Sequence, residues 1–306
     1  MSALARAVPD GAPTFLTIGH ITHDVHDDGS FSLGGTVTFA AVTAYRLGLA
    51  AAIVARADEQ LIGELPARLP GIRLAARISP QTTTFANRYH DGSRTQYLHA
   101  RAESILPGDV PAAWRNAPIV LLGPLAQEIP LEVARLFPRR SGALIAATPQ
   151  GWLRRWDAAG RVWPTPWAEA DALLPLLDAL ILSYDDLQPF ANGSRDAEAI
   201  LSQLSTRVPI LVATDGRYGA ALFQHGQREH FAAYPAAEID PTGAGDVFAA
   251  AFLCHLYECH DTRQAVNFAN CVASFSVEQV GIAGIPSRQI VEKRLQGRTS
   301  FDTRAQ

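Results

Sequence analysis

Residues 238–252 read Glu-Ile-Asp-Pro-Thr-Gly-Ala-Gly-Asp-Val-Phe-Ala-Ala-Ala-Phe, which is typical of a loop that passes into a helix. Pro241 and Gly243 interrupt regular structure, whereas the residues from Ala244 onward favour a helix. The first N–H groups of a helix have no partner within it, and the helix dipole adds positive potential there. The segment therefore predicts a binding site for an anion, with phosphate as the favoured ligand.

A carboxylate, Asp246, falls in the first turn of this predicted helix. Acidic residues are common there because they cap the helix and complement its dipole. Beside a bound phosphate, however, a negative charge would repel the ligand. The residue makes chemical sense as a general base that takes a proton from a hydroxyl attacking the phosphate. The segment alone leaves both interpretations, cap and base, open.

The same segment resembles the C-terminal signature D-T-x-G-A-G-D of the PfkB/ribokinase family of small-molecule kinases. The matching residues are Asp240-Pro241-Thr242-Gly243-Ala244-Gly245-Asp246. The resemblance implies that Gly243, Ala244 and Gly245 form an anion hole for the transferring phosphoryl group. It also implies that Asp246 is the catalytic base, that ATP is the phosphoryl donor, and that Mg²⁺ lies near the phosphates.

Length and composition exclude several classes of protein. The chain has 306 residues, of which 48% are apolar, so it can bury a sizeable core in one large or two modest domains. A formal net charge of −4 without a Lys or Arg run argues against a nucleic-acid or membrane partner. Three cysteines, an odd number, argue against a disulfide framework. No signal peptide or membrane span is predicted, and we expect a cytoplasmic protein.

Short apolar runs alternate with helical or loop stretches along most of the chain. They occupy residues 14–19, 51–57, 119–123, 143–147, 179–183 and 210–214. Such runs are typical of buried parallel strands, so the alternation predicts a doubly wound, mostly parallel α/β sheet with ligands at the carboxyl ends of its strands. Residues 262–280 predict a long apolar helix. The resemblance implies that residues 1–306 form a single ribokinase-like domain.

Two segments, at about residues 22–32 and 82–101, do not fit the buried sheet because they are polar on both faces. An isolated hairpin of this kind is only marginally stable, so we expect the two segments to pair in a small separate sheet. In the PfkB family such a sheet is a lid over the substrate. The resemblance also implies a homodimer formed through the lid.

Residues 20–28 contain three histidines and three aspartates, a composition that suggests a metal site. In an extended segment, however, successive side chains point to opposite faces. These side chains therefore do not converge without a special turn. A polar hairpin that turns at Asp28-Gly29 is the simpler interpretation.

The polyol acceptor is expected to bind after the first strand. Gly19-His20-Ile21-Thr22-His23-Asp24 is similar to the family pattern G-x-x-N-x-D, with Thr22 in place of Asn. The resemblance implies that Asp24 accepts hydrogen bonds from two substrate hydroxyls and that the Gly34-Gly35 pair contacts the sugar. Phe39 stands where ribokinases have Asn, which suggests a less polar or differently shaped substrate.

The metal site is expected at the end of the strand that finishes at Ser183. The family motif there is N-x-x-E, and this chain has Ser183 and Asp186 at the two positions. The resemblance implies that Asp186 holds Mg²⁺ through water, and Asp185 is an alternative ligand.

The nucleotide is expected beside a second turn. Thr214, Gly216 and Gly219 match the family pattern T-x-G-x-x-G, and Asn270 falls where relatives place a residue near the adenine. In many relatives the loop at 281–284, together with the residues equivalent to Asp240 and Thr242, binds a monovalent cation. The resemblance thus implies K⁺ as a further cofactor.

Three functions were compared. A polyol kinase accounts for matches in the correct order from Gly19 to Gly284, and no Walker motif indicates P-loop chemistry. A dinucleotide oxidoreductase would need a third glycine where Phe248 stands. A non-catalytic sugar or nucleotide sensor fits the altered metal motif but not the retained Asp246. The stretch Pro149-Gln150-Gly151-Trp152 resembles cyclitol (inositol) kinases, while sugars and nucleosides remain open.

Overall fold

The strands and helices below come from a computed structural model that describes residues 11–25, 29–90, 93–137, 139, 142–191 and 193–302. The strands are β1 (Phe15–Ile18), β2 (Thr22–Val25), β3 (Phe31–Gly34), β4 (Ala51–Ala57), β5 (Arg73–Ile78), β6 (Thr83–His90), β7 (Ser93–Ala100), β8 (Ile119–Leu122), β9 (Leu144–Ala147), β10 (Arg154–Trp156), β11 (Val162–Pro164), β12 (Ala179–Ser183), β13 (Ile210–Thr214), β14 (Ala220–Gln224) and β15 (Gln227–Phe231). The α-helices are α1 (Thr36–Arg46), α2 (Glu59–Arg68), α3 (Leu131–Ala134), α4 (Ala170–Leu173), α5 (Tyr184–Leu187), α6 (Ser194–Ser205), α7 (Ala244–Cys259), α8 (Thr262–Ser276) and α9 (Arg288–Asp302).

A nine-stranded sheet in the order β15-β14-β13-β12-β9-β8-β1-β4-β5 forms the centre of the molecule. Its strands pair in parallel from β13 to β5, and the antiparallel pairs, β13–β14 and β14–β15, lie at one edge. The predicted doubly wound, mostly parallel α/β sheet is therefore confirmed. Parallel strands direct all their carboxyl ends to one edge of the sheet, where ligands of such folds bind.

The core lies on both faces of this sheet, as strands without a polar face require. In β1, Phe15 packs into the core layer that contains α1, α7 and α8, whereas Leu16 and Ile18 pack into the opposite layer. Helix α7 is buried over most of its circumference, from Val247 to Cys254. The helix that carries the predicted anion site is thus held within the buried core.

A second, four-stranded sheet has the order β3-β2-β6-β7. Strand β2 pairs antiparallel with β3 and parallel with β6, so the sheet is mixed. The two polar segments therefore pair with each other outside the central sheet. Residue 28 of the expected turn at Asp28-Gly29, and the turn at 91–92, lie outside the described residues.

The predicted helix at 262–280 is shorter than expected and ends at Ser276. The carbonyl of Val277 accepts hydrogen bonds from the N–H groups of Ile239 and Asp240, at 2.7 and 3.1 Å. The backbone that would continue the helix instead holds the loop in front of α7. Sequence periodicity does not reveal this exchange, because Val277-Glu278-Gln279-Val280 is itself compatible with a further helical turn.

Glu128 is a fully buried carboxylate that joins two loops at the carboxyl end of the sheet. Its carboxylate oxygens accept hydrogen bonds from the backbone N–H groups of His20, Leu125 and Ala126. The N···O distances are 3.0, 3.0 and 2.7 Å. The ring of His20 in turn contacts Thr83 Oγ1 at 2.7 Å. His20 therefore has a structural role, and no cluster of three potential metal ligands occurs among the described residues.

We expect Glu128→Gln to lower the free energy of unfolding by about 2–3 kcal/mol, because an amide group would face backbone donors that need an acceptor. Urea denaturation followed by circular dichroism measures the change. Glu132→Gln, at an exposed position four residues away, is the matched control and should stay within about 0.5 kcal/mol of wild type. Equal effects of the two substitutions would contradict the role given to Glu128.

Candidate active site

A cavity of about 1190 Å³ opens at the carboxyl ends of β9, β12 and β13 and faces the small sheet. A volume above the roughly 300–1,000 Å³ of a typical single-ligand pocket suits two ligands. The predicted site residues that line it are Thr22, Asp24, Gly35, Phe39, Ser183, Asp186, Thr214, Gly216, Gly219, Asp240, Thr242, Gly243, Ala244, Gly245, Asp246 and Asn270. Gly34 is the one predicted site residue that does not line it.

The turn at the start of α7 has the geometry of an anion site. Gly243 has φ 76°, in the left-handed region, and a Cβ there would lie 2.5 Å from the ring of Phe39. The N–H of Ala244 donates to Pro241 O at 3.2 Å, so that amide is already engaged. Gly245 and Asp246 follow as the second and third helical residues, whose N–H groups have no acceptor within the helix. These two amides are the ones best placed to hold an anion.

Phe39 supports this turn from below. Only 3% of the residue is exposed, and its ring packs against Gly243 while one side reaches the cavity. The resemblance to the PfkB/ribokinase family predicts that Phe39 contacts the substrate. In the structure its ring packs directly against Gly243 and so fixes the position of the glycine turn.

Asp246 points toward α1 and accepts a hydrogen bond from the hydroxyl of Thr36. Thr36 is itself buried and packs so closely on Gly123 that a Cβ there would lie 2.4 Å from its methyl group. Burial raises the pKa of Asp246 to about 6, and the negative charges of Asp186 and Asp24 act in the same direction. A carboxyl group with this pKa is suited to general-base chemistry near neutral pH. The bond to Thr36 disfavours the interpretation that Asp246 is only a helix cap.

Asp24 lies on β2 at the other side of the cavity. Thr22 Oγ1 donates to its Oδ1 at 3.3 Å, and a Cβ on Gly34 would lie only 2.0 Å from its Oδ2. Gly34 is therefore needed to make room for the carboxylate. Gly35 has φ 94° and begins α1 close to His20 O. The absence of side chains at Gly34 and Gly35 thus leaves room for the Asp24 carboxylate and lets α1 start close to His20 O.

Ser183 and Asp186 form a capping box at the start of α5. Ser183 Oγ accepts the N–H of Asp185 at 3.1 Å, and Asp186 Oδ2 accepts the N–H of Ser183 at 3.0 Å. Burial raises the pKa of Asp186, and Gln150 Nε2 approaches its Oδ1 at 3.4 Å. The carboxylate predicted to handle metal is thus also part of the local fold.

The turn after β13 carries the predicted nucleotide residues. Gly219 has φ 101°, and a Cβ there would lie 2.0 Å from Phe231 O, so only glycine fits. Gly216 lies in open space on the cavity side. Asn270 Nδ2 donates to Phe231 O at 3.2 Å, which fixes the residue to the end of β15.

The segment before α7 is tied to the loop at 281–284 by Asp240. Its Oδ1 accepts the N–H of Thr242 at 2.9 Å and its Oδ2 accepts that of Gly281 at 3.1 Å. The carbonyls of Ile282 and Ala283 accept hydrogen bonds from Arg46 at 2.9 and 3.3 Å. The loop is therefore held from both sides by protein groups.

Several cavity residues were missed from the sequence. They are Thr36, Phe85, Gln96, Leu125, Thr148, Gln150, Arg154 and Arg217. Gln150 belongs to the Pro-Gln-Gly-Trp stretch that had suggested cyclitol kinases, so a signal existed for that region. Phe85 and Gln96 come from the small sheet, and pairing across strands far apart in sequence brings them to the cavity. None of the five tryptophans lines it, and Trp152 is buried in the core.

Comparison with known proteins agrees with this geometry. Residues 159–288, which include the glycine turn and Asp246, match the model of the pfkB family carbohydrate kinase. The chain carries a PfkB-family carbohydrate kinase domain. The suspected resemblance is therefore confirmed, and a domain of this kind indicates a phosphotransferase. The chain is 27% identical over 294 residues to inositol 3-kinase from Oryza sativa subsp. japonica, covering 87% of this chain and 69% of that protein.

Other relatives support the same family. Inositol 3-kinase from Zea mays is 26% identical over 216 residues, which cover 67% of this chain and 53% of the maize protein. A pyrophosphate-dependent kinase in the ribokinase family, solved with a pyrophosphate analogue and myo-inositol, aligns with a TM-score of 0.77 and 23% identity, covering 92% of this chain and 99% of that one. Arabidopsis thaliana ribokinase, solved with ribose and ATP, aligns with a TM-score of 0.70 and 23% identity, covering 93% and 99%. At such identities the two structures establish the ribokinase-like fold. In the described part of the chain no helix has the length and apolar character of a membrane span.

Gly245→Ala tests the glycine turn without disturbing the fold. A Cβ at Gly245 meets no protein atom within 4 Å and would enter the cavity. We expect kinase activity to fall at least about tenfold, because the methyl group blocks the approach of an anion to the amides. The melting temperature should stay the same or rise, since Ala favours a helix over Gly by up to about 1 kcal/mol.

Gly63→Ala is the matched control, because Gly63 is an exposed helical glycine on α2 that also has no protein atom within 4 Å of a Cβ. It should keep wild-type activity. Full activity of Gly245→Ala would show that the turn does not contact the reacting anion.

Proposed function

We propose that the protein is an ATP-dependent kinase that transfers the γ-phosphoryl group to a hydroxyl of a cyclitol, sugar or nucleoside, with Asp246 as general base. One observation carries this proposal. A carboxyl group with a pKa of about 6 lies in the first turn of α7, beside the amides of Gly245 and Asp246, and lines the cavity that Asp24 also lines. Such a base can accept the hydroxyl proton as the amides stabilise the transferring phosphoryl group. Catalysis by this arrangement would rely on positioning and charge stabilisation, as in other phosphoryl transfers.

Among these acceptors, we favour a cyclitol of the inositol type. The rice and maize relatives are inositol 3-kinases, and the acceptor end of the cavity combines polar groups with apolar walls. Asp24, Gln96 and Gln150 offer hydrogen bonds, while Phe85 and Leu125 provide flat apolar surface. A ring with hydroxyls at its rim and C–H faces fits both kinds of group.

ATP is the donor we propose, because beyond the turn after β13 the cavity continues along small apolar residues. Ala236, Ala273 and Val277 line that end, together with Asn270. This surface suits a nucleoside, whereas a bare polyphosphate would leave it exposed. Since one structural neighbour is a pyrophosphate-dependent kinase, the same assay should be run with pyrophosphate as the sole donor.

Mg²⁺ would be held by donor phosphates and, through water, by Asp186, with Asp185 as the alternative. A single protein carboxylate is in keeping with magnesium, which retains several waters and binds substrate phosphates. Bound Mg²⁺ would supply positive charge against the polyphosphate. For K⁺ we propose the Asp240–Thr242 segment as the binding site. The carbonyls of Ile282 and Ala283 in the neighbouring loop already accept hydrogen bonds from Arg46. Assays with and without K⁺ test this assignment.

A cytoplasmic homodimer belongs to the same proposal. Strand β3 is an edge strand of the small sheet, and Phe31 on it is 39% exposed, so this edge is available to a second copy. We likewise expect no nucleic acid or membrane partner. Analytical ultracentrifugation that found only monomer at high concentration would argue against the dimer.

The first experiment is an activity screen with ATP and Mg²⁺ over inositols, ribose, hexoses and nucleosides, followed by coupled detection of ADP. Turnover of a cyclitol in preference to the other acceptors is the expected result. A sensor on the same fold would bind polyol and nucleotide without turnover. That outcome would replace the kinase proposal by the alternative of a non-catalytic binding protein.

Asp246→Asn should lower kcat by about 10²-fold or more, because it keeps the shape and removes the base. The affinity for ATP should stay the same or improve, since a negative charge near the γ-phosphate is lost. In wild type, kcat/KM should decline as the pH falls through about 6, where Asp246 becomes protonated. Steady-state kinetics from pH 5 to 9 measure both effects.

Stability provides the control for this substitution. Because the folded-state pKa of Asp246 is raised from 3.8 to about 6, its ionised form destabilises the fold above pH 6, and this cost vanishes toward pH 4. Asp246→Asn should therefore raise the melting temperature at pH 8 and have little effect near pH 4. Asp196→Asn, in the first turn of α6, should alter neither kcat nor its pH dependence. Near-wild-type turnover of Asp246→Asn would refute the base assignment.

Asp24→Asn should raise the KM for the acceptor by about 10- to 100-fold, since hydrogen bonds from hydroxyls to a carboxylate contribute about 1.5–3 kcal/mol. The KM for ATP serves as the internal control and should not change. Equal losses for acceptor and ATP would indicate a general structural defect and would remove Asp24 from the acceptor site.

A further inference from the structure

The cavity presents mostly negative charge to a donor that is itself negatively charged. Among the described residues its lining includes six carboxylates, Asp24, Asp185, Asp186, Glu238, Asp240 and Asp246. Of the cationic side chains that the structure describes, two line it as well, Arg154 and Arg217. A polyphosphate entering this cavity needs positive charge near the atoms that react, because repulsion grows as the local dielectric falls.

Arg154 is the cation nearer to the chemistry. Its charge acts on both Asp246 and Asp186, lowering the pKa of each against the effect of burial. Arg217 lies instead on the turn after β13, next to Tyr218, which is 66% exposed. That position suits the outer part of a polyphosphate.

The backbone that carries Arg154 is firmly held. Gly151 N–H donates to Pro124 O at 2.9 Å, and Trp152 Nε1 donates to Ile129 O at 3.0 Å. The ring of Trp152 also stacks on that of Trp167, with centroids 5.0 Å apart. A side chain on so rigid a support can be positioned without a large loss of entropy on binding.

We propose that Arg154 is a catalytic residue whose guanidinium contacts the transferring phosphoryl group between Asp246 and Asp186. The assignment rests on the proposed kinase function. In the reaction a bond forms between the acceptor oxygen and the γ-phosphorus, while the bond from that phosphorus to the β–γ bridging oxygen breaks. The hydroxyl proton passes to Asp246, and ADP leaves with the bonding electron pair. Arg154 supplies positive charge to the phosphoryl oxygens throughout.

Arg154→Gln should lower kcat by about 10²- to 10³-fold, the usual scale for loss of one positioned donor in the transition state. The KM for ATP should change much less than kcat. Because a cation near Asp246 is lost, the acidic limb of kcat/KM should move to higher pH. Arg154→Lys should recover part of kcat and return the limb toward the wild-type position.

Arg155→Gln is the matched control, because Arg155 is exposed on the same strand, where neighbouring side chains point to opposite faces. It should retain wild-type kcat and pH dependence. If Arg154→Gln behaves like Arg155→Gln in an active enzyme, the assignment is overturned while the kinase proposal stands. If Arg154→Gln and Arg154→Lys lower the melting temperature without moving the acidic limb, Arg154 is structural and the assignment also fails. Wild-type protein that phosphorylates no acceptor with ATP or pyrophosphate would overturn the kinase proposal first, and this assignment with it.

Discussion

The contact between the starts of α1 and α7 is the constraint on which the rest of the site depends. Phe39 supports Gly243 from below, and Thr36 holds the carboxylate of Asp246. Both contacts come from the first residues of α1, which begins at Thr36, directly after the cavity-lining Gly35. The same packing therefore positions the glycine turn, the proposed base and one wall of the proposed acceptor site. Small errors in this packing would separate groups that must act together.

The carboxylates that line the cavity would repel a negatively charged phosphate ligand. A site that must accept phosphate also needs a carboxylate to remove a proton, and burial resolves part of the conflict by raising the pKa of Asp246. The remaining negative charge on the walls must be offset by amides, by arginine and by ions that arrive with the donor. In the proposed mechanism, Arg154 and the amides of α7 would supply the part of that compensation that belongs to the protein.

Buried polar groups hold the loops from which the site is built. Glu128 joins the loop after β1 to that after β8, Asp240 joins the segment before α7 to the loop at 281–284, and Asp186 closes the start of α5. In each case a carboxylate accepts backbone N–H groups that would otherwise be unsatisfied. Loops held in this way can present functional groups with the precision of regular structure.

Local patterns were enough to predict the parallel sheet, the separate small sheet, and the glycine turn with Asp246, because apolar runs and turn residues express backbone preferences directly. Local patterns did not predict the early end of α8 at Ser276, because it depends on hydrogen bonds from the loop before α7 to the carbonyl of Val277. Tertiary packing across more than 90 positions of sequence likewise brings Thr36 into hydrogen-bond contact with Asp246 and places the charge of Arg154 where it acts on that carboxylate. The pKa of Asp246 depends on that assembled surrounding, because burial and neighbouring charges arise only when distant segments come together.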